Sequence, residues 1–96
     1  EKKDCENVFH LYVVYHPKRN FIIKKLKKYN IQLNINYPIP IHKMKAYKNM
    51  FSKKRDSLPI TEKMSKGIFS LPLYPKLKIS EITRISKVLC KILKQI

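Results

Sequence analysis

The chain has one glycine, Gly67, and only six acidic residues in 96, and each scarcity removes a class of function. A single glycine rules out a Gly-rich loop, whose backbone amides would cradle a phosphate. The acids (Glu1, Asp4, Glu6, Asp56, Glu62 and Glu81) are dispersed, so no spacing pairs two of them for acid–base work. His10, His16 and His42 lack metal-ligand spacing, and no nucleophile stands beside a base. Cys5 and Cys90 lie far apart and form no C-x-x-C pair, which argues against a disulfide scaffold or a zinc site. Cys90 falls in an apolar helical pattern and is expected as a small buried thiol, in a reducing, cytoplasmic setting. No apolar run approaches the roughly 18 residues of a membrane-spanning helix, and the charged first six residues lack a signal-peptide core. Membrane association is therefore not expected.

What the sequence has in excess is positive charge, +16 at neutral pH. Nineteen of the basic residues are lysines and three are arginines (Arg19, Arg55, Arg84), whereas base readout and bidentate phosphate contacts favour arginine. Lys, Ile, Asn and Tyr supply 44 of the 96 residues, and all four have codons rich in A and T. The lysines are spread along the whole chain, which reads as a solvated basic surface, with nucleic acid not expected as a partner. A small basic module for nucleic acid or an anionic surface remains the alternative reading, and it rests on charge only. The length suits one domain, residues 1–96, with a modest core. The first residue is Glu1 and not a methionine, which predicts a piece of a longer protein or a deliberately trimmed chain.

Val8 to Tyr15 is an apolar, β-branched and aromatic run suited to a strand buried on both faces, with His10 a hydrogen-bonded core histidine. Pro17 then suits the first position of a helix over Lys18–Tyr29. There Ile22, Leu26 and Tyr29 share one face while Lys24, Lys25, Lys27 and Lys28 point outward. Asn30 is suited to a left-handed helix end. Ile31 to Tyr37 alternates strictly and predicts a second strand with one polar face. Pro38 to His42 cannot continue a ladder and predicts a rigid extended loop. A short helix is expected over Lys43–Met50, a mobile loop over Phe51–Leu58, and helical turns over Pro59–Lys66 ending at Gly67. Ile68 to Leu73 reads as a third strand. Ser80 is a good N-cap for a closing helix whose stripe is Ile82, Ile85, Leu89, Ile92 and Ile96. The expected fold is α+β: a two-layer small domain of about three mainly antiparallel strands with helices packed on one face.

Four strings stand out along the chain. His10-Leu11-Tyr12-Val13-Val14 precedes the helix near Arg19-Asn20. Asn36-Tyr37-Pro38-Ile39-Pro40-Ile41-His42 is followed by Ala46-Tyr47. Leu58-Pro59-Ile60-Thr61-Glu62-Lys63 leads to Phe69-Ser70-Leu71-Pro72-Leu73-Tyr74-Pro75 and then Ser80-Glu81-Ile82. In this order and spacing, over about residues 8–94, they resemble the C-terminal region of the DegT/DnrJ/StrS family of sugar aminotransferases.

The resemblance implies the small domain of a fold-type-I aminotransferase. Family members use pyridoxal phosphate to move an amino group, usually from glutamate, onto a nucleotide-linked keto sugar, as in the making of amino sugars and cell-surface polysaccharides. They are implied to act as homodimers. The cofactor lysine and most cofactor contacts belong to a large domain that this chain is expected to lack. No lysine here lies in a string like the family's lysine motif, so no catalytic, cofactor-binding or metal-binding residue is nominated, and the chain alone is expected to be inactive. The family's His-Tyr-Pro segment, which approaches the sugar-nucleotide, matches Asn36-Tyr37-Pro38, with asparagine in place of histidine. Asn36, Tyr37 and His42 are the candidate substrate-binding residues. Further departures are Asn30 for a glycine, Tyr15 for an arginine, and Met44-Lys45 for Gln-Pro. They leave open a remnant that keeps the fold and has lost the chemistry.

Overall fold

The computed structural model describes residues 2–51 and 57–96. Strand β1, Tyr12–Tyr15, pairs antiparallel with β2, Ile68–Leu71, in the register Tyr12 to Leu71 through Tyr15 to Ile68. Between them in sequence come helix α1 (Arg19–Lys27), a 3₁₀ turn (Ile41–Lys43) and helix α2 (Pro59–Ser65). Helix α3, Ile79–Leu93, closes the chain and packs against α1. The class is α+β as expected, but among the described residues the sheet has two strands instead of three.

The expected middle strand is reduced to one bridge. Asn34 pairs with Ser70, whose backbone N–H donates to the Asn34 carbonyl at 2.7 Å. Alternation is present in this segment: Ile31 is buried and Leu33 packs on the core, while Gln32 and Asn34 are exposed. Pro38 and Pro40 have no N–H to extend the ladder, and Asn30 turns the chain at the other end, so one rung is what remains. Asn30 has a φ of 59°, the left-handed helix end its sequence position suggested.

The core is Ile22 and Leu26 of α1, Ile31, Phe69 of β2 and Ile92 of α3, all at most 3% exposed. Ile85, Val88 and Leu89 flank it on α3, whereas Ile82 and Ile96, at the ends of the expected stripe, are exposed. Tyr29 also sits outside the core, with Lys91 Nζ 5.9 Å from its ring centroid.

Other expectations fail for local reasons. The run from Val8 is not a strand buried on both faces. Phe9 adopts a φ of 48°, only Tyr12–Tyr15 is extended, and most of its side chains face solvent at the edge of the sheet. His10 is exposed accordingly. Helix α1 begins two residues after Pro17, because the His16 ring and carbonyl organise the turn. His16 Nδ1 accepts from Lys18 N at 3.0 Å and its carbonyl accepts from Arg19 N at 3.1 Å. No helix forms over Lys43–Met50. Met44 is extended (ψ 141°), and Tyr47 and Met50 make only three-residue turns, with no apolar face packed against the core to hold a helix. Ser80 is not the N-cap of α3; the helix begins at Ile79, and Lys78 occupies the cap without a side-chain bond. Cys90 is exposed, since at 100° per residue it lies about 200° around the helix from buried Ile92. Of the loop expected over Phe51–Leu58, residues 52–56 lie outside the described residues.

Candidate functional site

The segment after the Asn34 bridge crosses in front of α2, and the two leave a groove of about 560 Å³ between them. Tyr37, Ile39, Ile41 and His42 form one wall, with Ile60, Thr61 and Met64 of α2 opposite. Pro38 and Pro40 fix this wall, because their φ values are locked and they leave little backbone freedom. Pro59 starts α2 where a missing N–H costs nothing. The lining is mainly apolar with a few polar groups at defined points, a composition suited to a small organic ligand.

His42 is a firmly held polar group there. Its side chain is 8% exposed, and Nε2 lies 2.9 Å from Glu62 Oε1. The Phe51 ring meets the imidazole edge-on, with centroids 6.5 Å apart and planes at 86°. Lys43 Nζ stands 3.5 Å from the other Glu62 oxygen. The hydrogen bond from His42 is the main cause that holds the Glu62 carboxyl below its ordinary value; Lys43 adds to it, and partial burial opposes both.

Of the three residues nominated from sequence, the groove brings Tyr37 and His42 together. Tyr37 is 72% exposed, so its ring lies on the open side. Asn36 is half-buried and turned away: its Oδ1 accepts from Ser70 Oγ at 3.1 Å, which ties the groove's wall to β2. That leaves the Asn36 amide N–H₂ as the group with donors to offer.

Two residues that sequence reading passed over organise the site. Glu62 was counted among the dispersed acids and in the Leu58–Lys63 string, and no local spacing links it to His42, 20 residues earlier. Arg19 looked like a helix-start residue, yet it is buried, and its Nη1 donates to the carbonyls of Ser65 at 2.5 Å and Ile68 at 3.1 Å. Its charge lies at the C-terminal end of α2, where the helix dipole favours a cation. The guanidinium thereby joins α1, α2 and β2 behind the groove.

Residues 1–90 match the DegT/DnrJ/EryC1/StrS aminotransferase family. Among similar proteins, a dTDP-3-amino-3,4,6-trideoxy-alpha-D-glucose transaminase of Micromonospora megalomicea is 49% identical over 73 residues, which cover 75% of this chain and 19% of that protein. A dTDP-3-amino-3,6-dideoxy-alpha-D-galactopyranose transaminase of Aneurinibacillus thermoaerophilus is 38% identical, covering 85% of this chain and 22% of that protein. The structure superposes on S. venezuelae DesV, solved in complex with a ketimine intermediate, with a TM-score of 0.83 and 27% identity over 90% of this chain and 23% of DesV. The chain thus spans about a fifth of the length of these relatives. With the family matched across nearly all of its residues and the fold shared, this chain belongs to the DegT/DnrJ/EryC1/StrS aminotransferases.

Proposed function

We propose that this chain is the small domain of a pyridoxal-phosphate-dependent aminotransferase that moves an amino group from glutamate to a nucleotide-linked keto sugar. The observation that carries this reading is the groove in which Tyr37 and His42 share one wall, in a chain of this family. An apolar lining suits the ring faces of a sugar or base, and His42 and the Tyr37 hydroxyl supply directional polar contacts. Asn36, turned towards Ser70, supports that wall from behind. In the parent protein, a cytoplasmic homodimer, this groove faces the sugar-nucleotide beside the cofactor of the neighbouring subunit.

The groove's lining does not fit the cofactor itself. The groove's described lining contains no lysine to form a Schiff base and no carboxylate to meet a pyridine nitrogen. The Lys43 amine next to His42 is instead held on Glu62. Cofactor binding therefore belongs to a larger domain of the parent, and the 96-residue chain is catalytically silent alone.

The test joins this chain to its native upstream sequence and assays glutamate-dependent amination of a dTDP-linked keto sugar, with the 96-residue chain assayed in parallel. Amination by the joined protein and none by the short chain is the expected pair of results. A parent protein that traps no pyridoxal phosphate on borohydride reduction would overturn the reading.

A further inference from the structure

Glu62 constrains the chemistry that His42 can offer a ligand. The carboxyl is held below its ordinary value, so near neutral pH it is ionised and can only accept hydrogen bonds. For Nε2 to lie 2.9 Å from Glu62 Oε1 as a hydrogen bond, Nε2 must carry a proton. In the neutral imidazole Nδ1 then has a bare lone pair, which accepts and cannot donate. Phe51, edge-on to the ring, opposes its rotation, and at 8% exposure the imidazole has little water to exchange partners with. A phosphate or carbonyl oxygen is itself an acceptor and gains nothing from a bare Nδ1. A hydroxyl group does.

Resting on the sugar-nucleotide reading above, we propose that Glu62 is a positioning residue of the groove. It fixes His42 as the Nε2–H tautomer, so that a groove ligand meeting the imidazole at Nδ1 finds an acceptor, which suits a sugar hydroxyl and not the diphosphate. Glu62 does not itself line the groove and acts on it through His42.

The tautomer is read without ligand, by long-range proton–nitrogen correlation on the histidine-¹⁵N-labelled chain at about pH 7.5, above the ordinary histidine range. The expected spectrum has His42 Nε2 protonated and Nδ1 bare. Glu62→Gln and Glu62→Ala are both expected to let the two tautomers mix, because an amide can donate to Nε2 as well as accept from it and a methyl group does neither. A wild-type spectrum with Nδ1 protonated overturns the proposal, and so does a folded Glu62→Ala chain with unchanged tautomer populations. Should Glu62→Ala unfold, the wild-type spectrum decides by itself. In the second arm, dTDP-glucose is expected to shift His42 Nδ1 while dTDP alone leaves it in place. Equal shifts with both overturn selection of the sugar hydroxyl. No shift with either overturns the ligand half, while the sugar-nucleotide reading is decided by the amination assay on the joined protein and the Glu62–His42 tautomer by the first spectrum.

Discussion

Gly67 stands where the chain leaves α2 for β2, and its role is close approach. A Cβ there would lie 2.3 Å from Tyr15 Cε2 and 2.9 Å from the His16 carbonyl oxygen. The tyrosine ring can swing aside, but the carbonyl belongs to backbone that also accepts from Arg19 N and anchors the start of α1. Gly67→Ala is therefore expected to destabilise the chain by about 1–3 kcal/mol, seen as a lower urea midpoint at unchanged slope. A midpoint within error of wild type would show that the β1 end yields freely. The Glu62 carboxyl gives a second prediction at this scale. Its folded-state value lies below the ordinary 4.5, so its contribution is fully present above the ordinary carboxylate range. That contribution is lost as pH falls through the lowered folded value. The melting temperature of wild type should thus exceed that of Glu62→Gln near neutral pH, and the gap should close on acidification below about pH 4.5. A gap that persists at about pH 3 would mean that the carboxylate charge is not what stabilises the contact.

At the scale of elements, Arg19 and Ile92 test how the helices are held. Arg19→Met removes the only described side chain that satisfies both the Ser65 and Ile68 carbonyls, at a cost of about 1.5–3 kcal/mol for bonds from a charged donor. Arg19→Lys should recover only part of this, because a single ammonium replaces the planar guanidinium fork. Full recovery in a thermal melt would reduce the residue's role to charge at the end of α2. Ile92→Ala empties a core position 1% exposed and should cost about 2–5 kcal/mol, comparable to the whole stability of a small domain. Loss of cooperative unfolding in that variant is the expected outcome. These two residues also show what the sequence could convey. Ile92 was legible because a three- and four-residue apolar period states which helix face is buried. The same period placed Ile22 and Leu26, and strict alternation placed Ile31. Arg19 and Glu62 were not legible, since their partners lie 46, 49 and 20 residues away and no short-range pattern encodes them. The middle strand misled because alternation reports which side of a segment is buried, whereas strand pairing needs backbone donors that Pro38 and Pro40 cannot supply. In the site, the proline-fixed wall carrying Tyr37 and His42 was recognisable from its string, and the direction of the Asn36 side chain was not.

Over the whole molecule, charge and exposed apolar surface act together. The radius of gyration is 16.5 Å, where a compact chain of this length is expected near 13 Å. Val8, Tyr12, Val13, Ile60 and Ile79 are all at least 46% exposed, so much apolar surface is left open to water. No helix among the described residues is long and apolar enough to cross a membrane. The net charge of +16 then works against the fold. Helix α1 contains no acid, and α3 has only Glu81, which accepts from the Tyr74 hydroxyl at 2.9 Å and thereby raises that tyrosine's pKa. Like charges on a domain of this width repel across distances comparable to the Debye length of about 30 Å at 0.01 M salt, and far less once it shrinks to about 8 Å at 0.15 M. The melting temperature of the isolated chain is therefore expected to rise as sodium chloride increases over that range. Folded stability that is flat or falling would mean that local pairs, such as Lys43 with Glu62, outweigh the net repulsion. The same screening separates the two readings of the charge. Binding to a polyanion through a diffuse lysine surface should disappear over the interval in which the fold gains stability, because it is driven by counterion release. Retention of polyanion binding at about 0.15 M salt, with a preference for one nucleic-acid sequence, would instead favour a dedicated basic module over a solvated surface.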